Sequence, residues 1–223
     1  MTNTYYGPIV LGAILIGMVA ACIMMYKAGA SKATVFYTAL LTVVMTITVS
    51  LMMSMILTGD IHKVSFVGAG GALGLMLGAV TSAFIHNDHA KDSTAAWIIA
   101  SPLMYGLSKI ACHIAGCCNG IPYDGPLKVI YQARHDAGFF PVQLTETVVF
   151  TLIFIIGLVL FFKVKNRIMV AAGIFLVSGI AKDLLEFLRE SHIGQTISSY
   201  QIIVLTIAIV IFIVAIPISK KLS

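Results

Sequence analysis

Residues 33–57 read ATVFYTALLTVVMTITVSLMMSMIL, a run of twenty-five positions without a charged side chain. At 1.5 Å per residue a helix of this length covers about 37 Å, more than the roughly 30 Å hydrocarbon core of a bilayer. In lipid the backbone must satisfy its own hydrogen bonds, so a spanning run of this kind is a helix. Lys32 bounds it on one side and Thr58-Gly59-Asp60 on the other.

Six further apolar runs flank it, at about 7–26, 64–85, 95–115, 141–162, 168–188 and 197–218. Hydrophobic residues make up 59% of the 223-residue chain, charged residues 10%, and mean hydropathy is +1.01. A soluble protein carries roughly 25% charged residues, so this chain has too few to cover a water-facing surface. The expected fold is an all-α integral membrane bundle of seven transmembrane helices, a single domain over 1–223 with little outside the bilayer. The start, Met1 to Tyr6, lacks the basic flank of a cleavable leader, so the first run is expected to stay as a helix.

Basic residues set the expected orientation. One set of loops carries Lys27, Lys32, Lys91, Lys163, Lys165, Arg167, Lys220 and Lys221; the other carries Lys63, Lys128, Arg134 and Arg189. The richer set should face the cytoplasm. The N-terminus is then outside, the C-terminus inside, and the long polar loop 116–140 outside. The net charge of +5 lies mostly in these short loops, so it reads as a topology signal and no nucleic-acid partner is expected.

Charge inside a membrane helix is costly and marks function by default. The first three runs have none. Lys109, Glu146, Lys182, Asp183 and Glu186 lie in runs four to six, all expected at one depth towards the outer face. Lys182, Glu186 and Arg189 follow i, i+4, i+7, one face of a helix. The plain reading is a pair of structural ion pairs, Lys182–Glu186 and Lys109–Glu146. Convergence of five groups at one depth points instead to a cavity for a charged headgroup. The run of five glycines, Gly68, Gly70, Gly71, Gly74 and Gly78, reads as a close-packing surface.

The four cysteines are Cys22, Cys112, Cys117 and Cys118. Cys22 reads as core packing. Cys112, His113, Cys117 and Cys118 are suitable zinc ligands by type. Adjacent Cys117 and Cys118 are awkward ligands for one tetrahedral ion, however, and there is no Cys-x-x-Cys pair, so no metal is expected. His86 and His89, beside Asp88 and Asp92, read as a solvated turn. No phosphate-binding loop, nucleophile elbow or dinucleotide fingerprint occurs, and no cofactor is expected.

Four stretches, in order, resemble one family. The stretch from Lys109 to Gly120, KIACHIAGCCNG, is similar to the Arg-x-Gly-Cys-x-x-x-Gly-Cys-Cys-Tyr-Gly signature of prolipoprotein diacylglyceryl transferases. Phe140-Pro141-Val142-Gln143-Leu144-Thr145-Glu146 is similar to that family's His-Pro-x-Gln-Leu-Tyr-Glu. The stretch from Gly179 to Glu190 is similar to its Gly-x-x-Arg-Phe-x-x-Glu-x-x-Arg. Ala69-Gly70-Gly71-Ala72-Leu73-Gly74 sits where the family has His-Gly-Gly-Leu-x-Gly. The likeness covers about 65–218. Departures fall at Ala69, Lys109, Phe140, Thr145 and Lys182, where the family has His, Arg, His, Tyr and Arg. Lysine keeps the charge but loses the two-pronged fork that fits phosphate.

The resemblance implies a phospholipid-dependent diacylglyceryl transferase of the bacterial cytoplasmic membrane, with seven helices and its N-terminus outside. Such an enzyme takes the diacylglyceryl group from phosphatidylglycerol and attaches it to a lipobox cysteine of a prolipoprotein signal peptide. Implied substrate-binding residues are Lys109, Asn119, Gly120, Gln143, Lys182, Arg189, Gly70 and Gly71. Glu146, Glu186, His113 and His135 are the candidate catalytic groups, the two histidines as proton acceptors. A non-catalytic relative that binds a phospholipid or a membrane partner is the alternative.

Overall fold

The computed structural model describes residues 5–61, 68–86, 89–131 and 137–221. It is helical: α1 (Tyr6–Lys27), α2 (Lys32–Thr58), α3 (Gly68–Ile85), α4 (Ala90–Ala115), α5 (Val142–Lys163), α6 (Arg167–Glu186) and α7 (Ser199–Lys221), with a 3-10 turn at Glu190–His192. Among the described residues there are isolated β-bridges but no regular strand. Five helices, α1, α2, α4, α5 and α6, are long and apolar enough to cross a bilayer. The apolar stretches Leu73–Ile85 in α3 and Gln201–Pro217 in α7 are shorter. The chain is therefore a multi-pass helical membrane protein.

Helix limits follow local chemistry. Ser31 caps α2 by accepting from the Thr34 amide at 3.1 Å, and Gly59 closes it in the left-handed region at φ 64°. One boundary differs from the sequence reading. The polar run after Ile85 reads as a loop to Asp92, yet α4 begins at Ala90. Asp92 in the first turn complements the helix dipole, and the Thr94 hydroxyl donates to the Ala90 carbonyl at 2.9 Å. His86 stacks on Tyr37 and His89 pairs with Asp92, so the two histidines have separate partners.

The chain divides into two compact units, Met18–Ser101 and Met1–Gly17 with Pro102–Ser223. In the first, α2 and α3 pack against each other. Thr34, Thr38, Thr42, Thr46, Ser50 and Ser54 recur every fourth residue of α2 and all are buried. Three glycines at the same spacing on α3 meet this line. A Cβ on Gly70 would lie 2.8 Å from Ser50 Cα, on Gly74 2.7 Å from Thr46 Cα, and on Gly78 2.6 Å from Thr42 Cα. Rising numbers on α3 meet falling numbers on α2, so the helices run antiparallel with their backbones in contact. Small residues on both sides make that approach possible where lipid gives apolar side chains no reason to associate. The Thr46 hydroxyl donates to the Thr42 carbonyl at 2.7 Å, satisfying a polar group that lipid would not.

In the second unit α6 packs on both α5 and α7. Gln201 at the start of α7 donates to the Asp183 carbonyl of α6 at 3.0 Å. Helices α4 and α5 meet where Thr147 donates to the Gly106 carbonyl at 2.9 Å. Beyond α4 the chain folds back on itself. Phe139 exchanges both backbone hydrogen bonds with Val129, and Ile121 donates to the Leu188 carbonyl at 3.0 Å.

Candidate functional site

Glu146, one turn into α5, is completely buried. Its carboxylate accepts from Arg189 Nη2 at 2.7 Å on Oε1 and 2.9 Å on Oε2, and from the Tyr105 hydroxyl at 2.9 Å on Oε1. Lys109 Nζ lies 3.6 Å from Oε2 and 4.5 Å from the centre of the Tyr105 ring. Arg189 reaches in the other direction as well, with Nε 3.4 Å from Glu186 Oε2, and the same Glu186 oxygen pairs with Lys182. One continuous chain of contacts thus runs Lys109, Glu146, Arg189, Glu186, Lys182. These residues come from the C-terminal end of α4, the N-terminal end of α5, the C-terminal end of α6 and, for Arg189, the segment just after α6.

Three cations against two carboxylates give this chain an excess of one positive charge. Removing such groups from water is costly, and only mutual pairing and hydrogen bonding make it tolerable. Burial opposes the charged form of Arg189, but Glu146, with Tyr105 and Glu186 behind it, holds the guanidinium well above its ordinary pKa. Asp183 lies outside the chain of contacts. Its Oδ1 is buried without a hydrogen-bond partner.

Backbone pairing fixes Arg189. Gly120 and Arg189 form an antiparallel bridge, Glu190 donates to the Asn119 carbonyl at 3.0 Å, and the 3-10 turn follows at once. Gly120 also lies against the Phe140 backbone, where a Cβ would run into the Phe140 carbonyl. Gln143 is also completely buried. It donates from Nε2 to the Cys117 carbonyl at 2.7 Å and accepts from the Tyr131 hydroxyl at 3.0 Å. Its amide is engaged in holding the loop after α4 against α5.

That loop leaves α4 through a left-handed Gly116 at φ 66°. The Cys117 amide donates back to the Cys112 carbonyl at 3.1 Å and the Gly116 amide to the His113 carbonyl at 3.2 Å. This double closure of the last turn brings the residue after the glycine against the one five positions earlier. Cys117 is thereby returned to Cys112, and Cys118, itself left-handed at φ 57°, joins them. All three Sγ atoms lie within 4.8 Å of one another. Cys117 and Cys118, awkward as shared ligands by spacing, are thus brought by this backbone into one cluster with Cys112. The Tyr6 hydroxyl lies 3.9 Å from Cys112 Sγ. A hydrogen bond from Cys112, with the charges of Lys109 and Arg189 acting against burial, pushes the Cys118 thiol down, while burial pushes the neighbouring Cys117 thiol up.

His113 has a buried Nδ1 without a hydrogen-bond partner, and its ring meets Tyr131 edge-on at 6.1 Å. Asn119 Oδ1 is likewise buried and unpartnered. His135 lies outside the described residues. Gly70 and Gly71 are buried in α3, within the other compact unit. The sequence reading missed Tyr105, Tyr131, Tyr6 and His192, which is buried against Phe187 at 4.7 Å. Tyr105 had a signal, since it stands one turn before Lys109 on the same face.

No curated protein gives a significant match to the chain. The sequence model of the family described as prolipoprotein diacylglyceryl transferase matches residues 2–217, nearly the whole length, and the chain belongs to that family.

Proposed function

We propose that this protein is a transferase of the bacterial cytoplasmic membrane that moves the diacylglyceryl group of phosphatidylglycerol to the thiol of a lipobox cysteine. A sulfur–carbon bond forms at the glycerol carbon and the carbon–oxygen bond to phosphate breaks. Glycerol 1-phosphate leaves with the electron pair, and the thiol proton passes to a base. The observation that carries this reading is the buried chain Lys109–Glu146–Arg189–Glu186–Lys182, an arrangement with one spare positive charge at one end of apolar helices. Preorganised cations stabilise charge as it develops on a leaving phosphate, and more strongly in a site shielded from water.

Lys109, Lys182 and Arg189 bind the phosphate in this reading, while Glu146 and Glu186 orient them. Asn119 Oδ1 accepts from a glycerol hydroxyl, and the Gly120 backbone, bridged to Arg189, helps to hold that residue at the site. Gln143 contributes through the loop it anchors. His113 accepts the thiol proton at its unpartnered Nδ1, with His135 as the second candidate. Gly70 and Gly71 enter through the family resemblance alone.

Purified protein in vesicles of labelled phosphatidylglycerol, given a lipobox peptide, is expected to yield lipidated peptide and glycerol phosphate in equal amounts. A second reading, a non-catalytic lipid-binding relative, is favoured by one observation: every cation in the chain already has a carboxylate partner. Stoichiometric lipid binding with neither product would sink the transferase and leave that reading.

A further inference from the structure

The three thiols at the end of α4 are unused by the chemistry above. Cys112 is buried on the last turn, Cys117 is half-buried and Cys118 is exposed, so the cluster has an inner wall and an open side. A tetrahedral zinc–thiolate site has metal–sulfur bonds of about 2.3 Å, which puts its sulfurs about 3.8 Å apart. The sulfurs here lie within 4.8 Å of one another, so closure on an ion needs shifts on the order of 1 Å. Both left-handed residues, Gly116 and Cys118, are already in place, and the backbone that sets the geometry is held by the cap of α4 and by Gln143. Sulfur ligands select thiophilic ions, zinc foremost among the divalent ones. Three thiolates leave a zinc site one negative charge in excess.

We propose that Cys112, Cys117 and Cys118 bind a zinc ion as three thiolates and that the fourth position, on the open side, takes the acceptor thiol. A thiol that coordinates zinc loses its proton and remains a sulfur nucleophile. The proton passes to solvent or to His113. The bound sulfur then attacks the glycerol carbon, the new sulfur–carbon bond replaces the carbon–oxygen bond, and the electron pair leaves on glycerol phosphate. This role for the ion rests on the transferase reading; the binding of the ion does not.

The test begins with reduced full-length protein in detergent, titrated with Zn2+ and examined by X-ray absorption. The expected result is one ion per chain with three sulfur neighbours at about 2.3 Å. Cys118→Ser, at an exposed position, should weaken binding by at least about tenfold with an unchanged thermal transition, and Cys112→Ser likewise. Cys22→Ser, outside the cluster, should leave binding unchanged. A lipobox peptide should add a fourth sulfur, and the same peptide with Cys→Ser should not. Substoichiometric zinc, binding indifferent to the Cys118 and Cys112 changes, or a disulfide among the three in freshly isolated protein overturns the site. Zinc bound without a fourth sulfur overturns its role. Transfer that persists undiminished in Cys118→Ser overturns the role while the transferase reading stands. A fourth sulfur with no transfer under any condition upholds the thiol site and sinks the transferase reading instead.

Discussion

Glu146 is the side chain on which the candidate site depends. It neutralises Arg189 and Lys109 and accepts from Tyr105, all without contact with solvent. Glu146→Gln leaves two cations facing one neutral amide. Breaking a buried pair in this way costs about 3–5 kcal/mol. The expected outcome is a lower thermal transition in detergent together with loss of transfer, read by unfolding and by the vesicle assay. Arg189→Lys separates the two effects. Lysine keeps the charge but cannot touch both Glu146 oxygens and Glu186 together. Losing one charge-assisted hydrogen bond is worth about 1.5–3 kcal/mol, so transfer should fall roughly ten- to a hundredfold while the protein stays folded. Much of this was legible in the chain: charges within apolar runs at 109, 146, 182 and 186 are costly wherever they fall, and Arg189 shares a face with Glu186. Two of the pairings, Lys182–Glu186 and Lys109–Glu146, were legible as well, whereas the links of Arg189 to Glu146 and of Tyr105 to Glu146 were not. Nothing in a helical period says that Tyr105 meets Glu146 forty-one positions on, or that the Gln143 amide is taken up by Cys117 and Tyr131.

Helices were the easiest elements to read, because an uncharged run long enough to cross the bilayer admits no other backbone. The glycines of α3 were readable as a packing surface, but their partner was not. The matching line on α2, a hydroxyl every fourth residue from Thr34 to Ser54, is plain once the antiparallel register is known. Gly74→Ala would press a methyl group against the backbone at Met45 and Thr46, which cannot step aside as a side chain can. A loss of about 1–3 kcal/mol is expected in thermal unfolding. Gly173→Ala, with nothing within 4 Å, should be neutral or slightly stabilising, and equal effects at both would refute the close-contact account. The clustering of the thiols at the end of α4 was not legible for a definable reason: the left-handed Gly116 and Cys118 decide where the thiols go, and spacing along the chain does not anticipate them. Gly116→Ala forces a side chain into that conformation at about 1–2 kcal/mol. It should displace Cys117 from Cys112, which slower disulfide formation between them under oxidant would report.

At the level of the whole protein, the basic residues give an orientation that a fusion can check. A fluorescent protein joined after Ser223, of a kind that matures only in the cytoplasm, should be bright, and an alkaline phosphatase in its place inactive. The opposite pair of results reverses the topology and moves the Glu146 cluster to the cytoplasmic side. The two compact units also differ in how the chain supplies them. Met18–Ser101 is one continuous stretch, whereas the unit that holds the cluster joins Met1–Gly17 to Pro102–Ser223. Synthesis therefore meets the two in a fixed order. While the ribosome is still adding later helices, the Thr42–Gly78 contact can already form, and a cross-link between cysteines placed at those two positions should appear in chains stalled at Phe161. The charged cluster needs Arg189, so it can close only when most of the chain has left the translocon. Until then Glu146 has only Lys109 and Tyr105 for partners, so its two-oxygen grip on Arg189 is the last link of the cluster to form.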